Sequence, residues 1–435
     1  MRYARKLVPF LLVFVALATA CRKDEYPSNV ESVNIEEYTA PSEDKAGTPP
    51  PVGMYVLNNG GKGNYESTLD YVDFAAGGVY HHNFFAEKNN IPSLGDNGLT
   101  MKIAQKKLFI VLNGSHKVMV ICADVEDEEN FGKLLGEVGV NQPSDIAIVG
   151  DYAYVTSMIR PKTAEGRKPL GEVVRFDITQ FVKGGEKRIE QGDIPRADRV
   201  AVGCQPVSIV QGSAMNADDG YTKYMDYLFV ANSGSLNAPE FDNTVSFISI
   251  ADGEFAQKGM ATLERKQPLC VLGAYDYLMV VTKGDSEFGD DLQLQKYAVD
   301  IDKVELKPVV KESGELLPPK KDVAKAVFDG GTLFMLKGHL SGAGAISQPS
   351  FRTTVPKASD KEGYSKTDVV VGSREYLSTI EALTALAIAP NYDRVVLDAR
   401  NYTSSGRILY FNVDGKHLWS ARAGIIPVAV AFQTK

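Results

Sequence analysis

Seven short runs, each rich in β-branched and aromatic residues and most of them ending in a small polar residue, predict an all-β fold built from one repeated sheet. They lie at 54–58, 108–113, 152–157, 227–232, 277–282, 333–337 and 394–398. From residue 52 onward no stretch carries the apolar period of a helix, and Gly, Asn, Asp and Pro punctuate the runs. The ends of the chain supply the third observation. The first run lacks the upstream companion strand that others have, whereas the chain finishes with an unmatched companion, Ile426-Pro427-Val428-Ala429-Val430-Ala431-Phe432. A C-terminal strand that joins the N-terminal sheet closes a circle and leaves no long exposed edge. The expected fold is a seven-bladed β-propeller closed in that way.

In chain order, Arg2, Arg5 and Lys6 precede an apolar run over 7–18. This is the pattern of a secretion signal over residues 1–20, too short to span a bilayer comfortably. Leu17-Ala18-Thr19-Ala20-Cys21 resembles a lipoprotein cleavage box, with Ala18 where that box usually has Leu. Cys21 is therefore expected to carry lipid; a plainly cleaved signal with a spare cysteine is the alternative. Arg22-Lys23-Asp24-Glu25 resembles the charged tract that sends Bacteroidetes lipoproteins to the outer face of the outer membrane, and a lipid-anchored protein facing the cell exterior is expected. Residues 21–51, ending in Gly47-Thr48-Pro49-Pro50-Pro51, read as the lipidated cysteine and a flexible tether. Residues 52–435 then hold the propeller. At about 55 residues per repeat they exceed the ~40–45 usual for blades, so the surplus is expected in loops.

Three companions, at 142–148, 205–210 and 267–272, are copies of one phrase that opens Gln-Pro, and proline suits a strand entry. Second strands follow the runs at 68–73, 117–121, 172–177, 244–248 and 407–412, which makes the unit a small antiparallel sheet. Loss of the first 20 residues, which carry three basic side chains and no acid, takes the formal net charge from -8 to -11. That balance argues against a nucleic-acid binder. A 44% hydrophobic and 23% charged composition argues against disorder and against a multispanning membrane fold. Cys122, Cys204 and Cys270 are odd in number, widely spaced and set in apolar sequence. They read as small core residues rather than a disulfide framework or a metal cluster.

Residues 228–235 with 243–250, and 108–115 with 117–121, resemble the repeat of the YVTN, or YncE-like, β-propellers. The resemblance extends over nearly all of the chain after Val52 and is weakest in the fifth and sixth repeats. The opening Tyr55-Val56-Leu57-Asn58-Asn59-Gly60 and the lipoprotein leader narrow it towards Bacteroidetes propeller lipoproteins of the surface-layer type. Some of that group are similar to surface proteins that capture corrinoids, including vitamin B12, and deliver them to a TonB-dependent transporter. What the resemblance implies here is a corrinoid as ligand and such a transporter as partner; the repeat by itself specifies a fold and leaves function open.

The loops at 58–68, 113–117, 157–171, 232–244, 283–292, 337–367 and 400–407 are expected to open on one elaborated face, where binding residues usually sit. The candidates are Asn58, Asn59, Tyr65, Asn113, His116, Arg160, Asn232, Phe241, Phe288, His339 and Tyr402. Amides supply neutral donors and acceptors and aromatics supply flat apolar area, which together suit a large polar organic ligand. Structural alternatives stand beside these assignments. Asn58, Asn113 and Asn232 also fit strand-end turns. His116 and His339 are either solvated turn residues or groups that approach a corrinoid's metal or phosphate. Arg160, Lys162, Arg167 and Lys168 are either an ordinary solvated loop or a receptor for phosphate, carboxylate or a partner's acidic loop.

The H-E-x-x-H, G-x-S-x-G, G-x-x-x-x-G-K-[ST] and C-x-x-C motifs are all missing from the sequence, and neither a cofactor nor a resident metal is expected. Three readings follow. The first is a surface-anchored module, not an enzyme, that captures a large polar nutrient. The second is a protein- or glycan-docking propeller with no small ligand, and the third is a lyase or hydrolase with acid and base groups converging near the axis.

Overall fold

The computed structural model describes residues 32–44, 47–61, 66–159, 170–212, 224–234, 241–274, 277–285, 291–310, 313–329, 332–337, 351–354, 369–370 and 373–434. The signal segment and Cys21 lie outside these residues. Among them the chain is all-β, folded into seven sheets of four or five strands that follow one another along the sequence.

Each sheet begins with a leading strand, and the leading strands are what join the sheets. In the second to seventh sheets they are Gly98–Ala104, Pro143–Val149, Pro206–Gln211, Pro268–Ala274, Val323–Asp329 and Leu383–Ile388. In the first sheet the place is taken by Pro427–Gln433, which pairs antiparallel with Gly53–Asn58 in the register Met54 to Phe432 and Val56 to Val430. Each leading strand packs on that of the next sheet, and Pro427–Gln433 touches both Leu383–Ile388 and Gly98–Ala104. Apolar side chains fill the spaces between sheets. Phe109, Val120, Ile146, Val155 and Val174, for example, form one buried cluster drawn from the second and third sheets.

The second strands are Gly53–Asn58, Lys107–Leu112, Tyr152–Ile159, Tyr227–Gly234, Tyr277–Thr282, Thr332–Lys337 and Arg394–Asp398, matching the seven runs read from sequence. In all seven sheets the first residue of the leading strand faces the end of the second strand, and the ladder then slips. A bulge at one fixed register adds a residue and sharpens the local twist. The backbone just upstream accommodates this, since Asn97, Gln142, Gln205, Gln267, Asp322 and Ile426 all have positive φ.

The polar residue at the end of the second strand is part of the same joint. Asn58, Ser157, Asn232, Thr282 and Asp398 are fully buried. The Asn58 amide donates to Asp70 Oδ2 at 2.8 Å and Thr68 Oγ1 at 3.1 Å, and Asn232 donates to Thr244 Oγ1 and Ser246 Oγ, both at 3.0 Å. Each of these amides lies against a glycine of the preceding sheet: a Cβ on Gly424 or Gly203 would sit 2.5 Å from the Cγ of Asn58 or Asn232.

Upstream of residue 52, part of the stretch expected as a tether packs on the first and seventh sheets. Ser32–Asn34 pairs antiparallel with Val79–His81, Ile35 is buried, and the Tyr38 ring lies 6.2 Å from Trp419 and 6.4 Å from Phe74. Asn391 Nδ2 donates to the Ser42 carbonyl at 2.7 Å. Ile35 and Tyr38 give an otherwise polar segment apolar surface to bury, which its overall composition conceals. The six-residue helix Phe84–Asn89, too short to show a helical period in sequence, buries Phe84 and Phe85.

Two substitutions test the joint. Asn58→Ala is expected to lower unfolding stability by about 1–3 kcal/mol in urea titrations, because it leaves buried partners unmet. Gly424→Ala should also destabilise, and by less in the Asn58→Ala background than alone, since the atom it strikes is then gone.

Candidate functional site

The loops named above join the second strands to the third strands at the end of the sheets where the leading strands begin, and the described sequence candidates can be placed one by one. Asn58 and Asn232 turn inward, as described, and their amide donors serve the third strands. Asn59, buried, donates to Asn97 Oδ1 at 2.7 Å and to the Gly98 carbonyl at 2.8 Å. Asn97 donates in turn to Asn113 Oδ1 at 3.3 Å, and Asn113 to the Pro143 carbonyl at 2.8 Å. The structure thus brings Asn59 and Asn113 together in an amide chain across the first three sheets.

His116 is exposed in a turn with φ 55°, and its Nδ1 accepts the Gln142 N–H at 3.0 Å. It borders a groove of ≈ 440 Å³ lined also by Lys117, Glu137, Arg188 and Glu190. Lys117 and Arg188 both pair with Glu137, so the charges of this groove are largely met within it. Tyr402 is 43% exposed in the loop after Arg394–Asp398. The backbone of Phe241 pairs with Gly234. Tyr65, Arg160, Phe288 and His339 lie outside the described residues.

A constellation that none of those candidates included lies just below the looped end, at the third residue of the leading strands. From the second sheet to the seventh and then the first, that position holds Thr100, Asp145, Ser208, Cys270, Lys325, Ala385 and Ala429. Asp145 Oδ1 accepts the Ile146 N–H at 2.8 Å, and Oδ2 accepts the Ile209 N–H of the next sheet at 2.9 Å. The Ser208 hydroxyl lies within donating reach of both the Asp145 carboxylate and the Cys270 sulfur, and its oxygen accepts the Val271 N–H at 3.3 Å. Cys270 is in electrostatic contact with Asp145, with Lys325 and with Lys102. The scaffold is constant here and the side chain differs from sheet to sheet, the arrangement expected of a binding position on a rigid frame.

Enclosure dominates the protonation of these groups. Burial raises the Asp145 carboxyl despite Lys102 and two backbone N–H donors. It pushes the Cys270 thiol up to about 11, although the side chain keeps some accessible surface. It lowers the Lys325 amine, with only Cys270 acting in the other direction. Cys122 and Cys204 are buried free thiols and Cys270 is a partly buried one, whose raised pKa keeps it in the unreactive thiol form. A signal was present in the three Gln-Pro phrases, which share their opening and carry Asp145, Ser208 and Cys270 at the same position two residues after the proline.

No protein-family model matches the chain, and no curated protein sequence matches it. Solved structures do. A hypothetical selenium-binding protein of Sulfolobus tokodaii is similar at 10% identity and TM-score 0.56, over 88% of this chain and 94% of that one. A periplasmic gluconolactonase of Pseudomonas aeruginosa is similar at 15% identity and TM-score 0.50, over 87% and 99%. A putative 6-phosphogluconolactonase of Bacteroides uniformis is similar at 12% identity and TM-score 0.50, over 88% and 99%. The two lactonases are propeller-type proteins, and the likeness places this all-β chain in the β-propeller fold.

Two measurements follow from the protonation states. Cys270 in the folded protein should react with iodoacetamide at pH 8 about a hundredfold more slowly than an unperturbed thiol, and at an ordinary rate once unfolded, as read by peptide mass mapping. For Lys325 the unfolded state binds more protons between the lowered native value and the ordinary 10.5. Stability should therefore rise with pH through that window, and this rise should be missing from Lys325→Met in urea titrations across pH 6–10.

Proposed function

We propose that the chain is a seven-bladed propeller closed by Pro427–Gln433, anchored through Cys21 to the outer membrane, facing the cell exterior and working as a binding protein rather than an enzyme. Its looped end binds a large polar ligand, and the ligand proposed is a corrinoid passed on to a TonB-dependent transporter. The observation that carries the binding role is the third position of the leading strands, where Thr100, Asp145, Ser208, Cys270 and Lys325 lie near the end of the sheets at which the second strands finish. Closure is supported by the ladder between Gly53–Asn58 and Pro427–Gln433 and by the unbroken series of leading-strand contacts. The corrinoid rests on the sequence resemblance, and the amide chain through Asn59, Asn97 and Asn113 suits its amide-bearing periphery.

Calorimetric titration of the protein with cyanocobalamin, cobinamide and haem tests the ligand. One-to-one binding of a corrinoid with no response to haem supports it; silence from both corrinoids removes it. Closure is tested by truncating the chain at residue 426. Loss of the cooperative urea transition, with aggregation through the bared edge of Gly53–Asn58, is the expected result. A truncated chain that unfolds like the intact one would overturn it.

A further inference from the structure

Asparagine followed by glycine occurs three times in the chain, at Asn59-Gly60, Asn97-Gly98 and Asn113-Gly114. All three asparagines are members of the amide chain at the looped end. This dipeptide is chemically self-reactive, because the glycine has no Cβ to keep its nitrogen away from the asparagine side chain. The glycine nitrogen gives up its proton and bonds to the asparagine Cγ, the Cγ–Nδ2 bond breaks, and the side-chain nitrogen leaves as ammonia with that proton. Water then opens the cyclic imide at either carbonyl, leaving aspartate or isoaspartate. The reaction needs a glycine N–H released from its acceptor and an asparagine side chain free to swing onto it.

The fold denies both. The Gly60 N–H is accepted by the Ile425 carbonyl at 3.0 Å, the Gly98 N–H by Ser67 Oγ at 2.9 Å and the Gly114 N–H by the Asp96 carbonyl at 3.1 Å. The side chains are pinned at both ends. Asn59 Oδ1 accepts the Gly61 N–H at 3.1 Å while its amide donates to Asn97 Oδ1 and the Gly98 carbonyl. Asn97 and Asn113 each accept from the preceding member and donate onward. Ser67, fully buried, links two of the steps, since the hydroxyl that accepts the Gly98 N–H also donates to the Asn59 carbonyl at 2.7 Å.

The three steps are not held equally. The Asp96 carbonyl is shared between the Gly114 and Ser115 N–H groups, at 3.1 and 3.3 Å, and the bond from Asn97 to Asn113, at 3.3 Å, is the longest in the amide chain. Asn113 is also partly exposed, whereas Asn59 is buried. We propose that the three Asn-Gly steps are a site of spontaneous deamidation held in check by these hydrogen bonds, and that Asn113 is where the modification enters. The inference stands whether or not the looped end binds a corrinoid. Its consequence is local. An aspartate at position 113 has no donor for the Pro143 carbonyl, so the link from the second sheet to the third is cut and a negative charge enters the looped end.

The test is peptide mass mapping of the full chain after incubation at pH 8, folded and, separately, unfolded in guanidinium. In the unfolded chain the three steps should deamidate at similar rates. In the folded chain Asn59 and Asn97 should react at least about tenfold more slowly than when unfolded, with Asn113 ahead of both. Ser67→Ala frees the Gly98 nitrogen and should speed deamidation of Asn97 about tenfold, with a smaller change at Asn113. Equal rates in the folded and unfolded chains, or an unchanged Asn97 rate in folded Ser67→Ala, would overturn the check by hydrogen bonds. Asn59 or Asn97 reacting ahead of Asn113 in the folded protein would overturn the assignment of Asn113. If Ser67→Ala does not fold, the folded and unfolded rates of the unaltered protein decide.

Discussion

The backbone ladder between Gly53–Asn58 and Pro427–Gln433 is the constraint on which the rest of the structure depends. Gly53–Asn58 is a fully buried strand with Thr68–Asp73 on one side only, until the far end of the chain arrives on the other. A strand buried on both faces cannot leave its N–H and C=O groups unmet, so the two ends of the chain are held together by hydrogen bonds that no local sequence could supply. Contacts of such sequence separation make folding slow and cooperative, because the loop entropy is spent before the contact forms.

The same geometry separates scaffold from chemistry. A bulge recurs at one register in every leading strand, with a buried residue opposite the strand's entry in six of the seven sheets, and these features repeat because the backbone requires them. Two residues further on, nothing in the backbone dictates the side chain. Acid, hydroxyl, thiol and amine occupy that position in four successive sheets. A repeat fold of this kind brings unlike residues together by making their surroundings alike.

Buried cations elsewhere in the molecule show what an accommodated charge looks like. Lys296 is fully buried with its ammonium 3.6 Å from the centroid of the Tyr277 ring. Arg394 is almost fully buried and donates to the carbonyls of Asn412 and Val413 at 2.9 and 3.1 Å. The half-buried Arg407 meets the fully buried Asp398 at 2.9 Å. Each has an aromatic face, a carbonyl or a carboxylate in reach, as the cost of enclosing a charge demands.

The sequence by itself determined the all-β class, the seven second strands and the partner of the first, because each rests on local patterning: β-branched runs, Gln-Pro entries and an unmatched companion at residues 426–432. It also carried the strand-end asparagines, while leaving open whether Asn58 and Asn232 turn to ligand or to protein; their inward hydrogen bonds depend on Asp70, Thr244 and Ser246, which lie on other strands. Ile35 and Tyr38 were hidden in a polar segment because their partners, the sheet around Trp419 and Phe74, come from distant sequence. Only the tertiary structure set Asp145, Ser208, Cys270 and Lys325 side by side. They are separated by roughly one repeat each, and their joint protonation arises from enclosure and mutual proximity, quantities that a linear pattern does not contain.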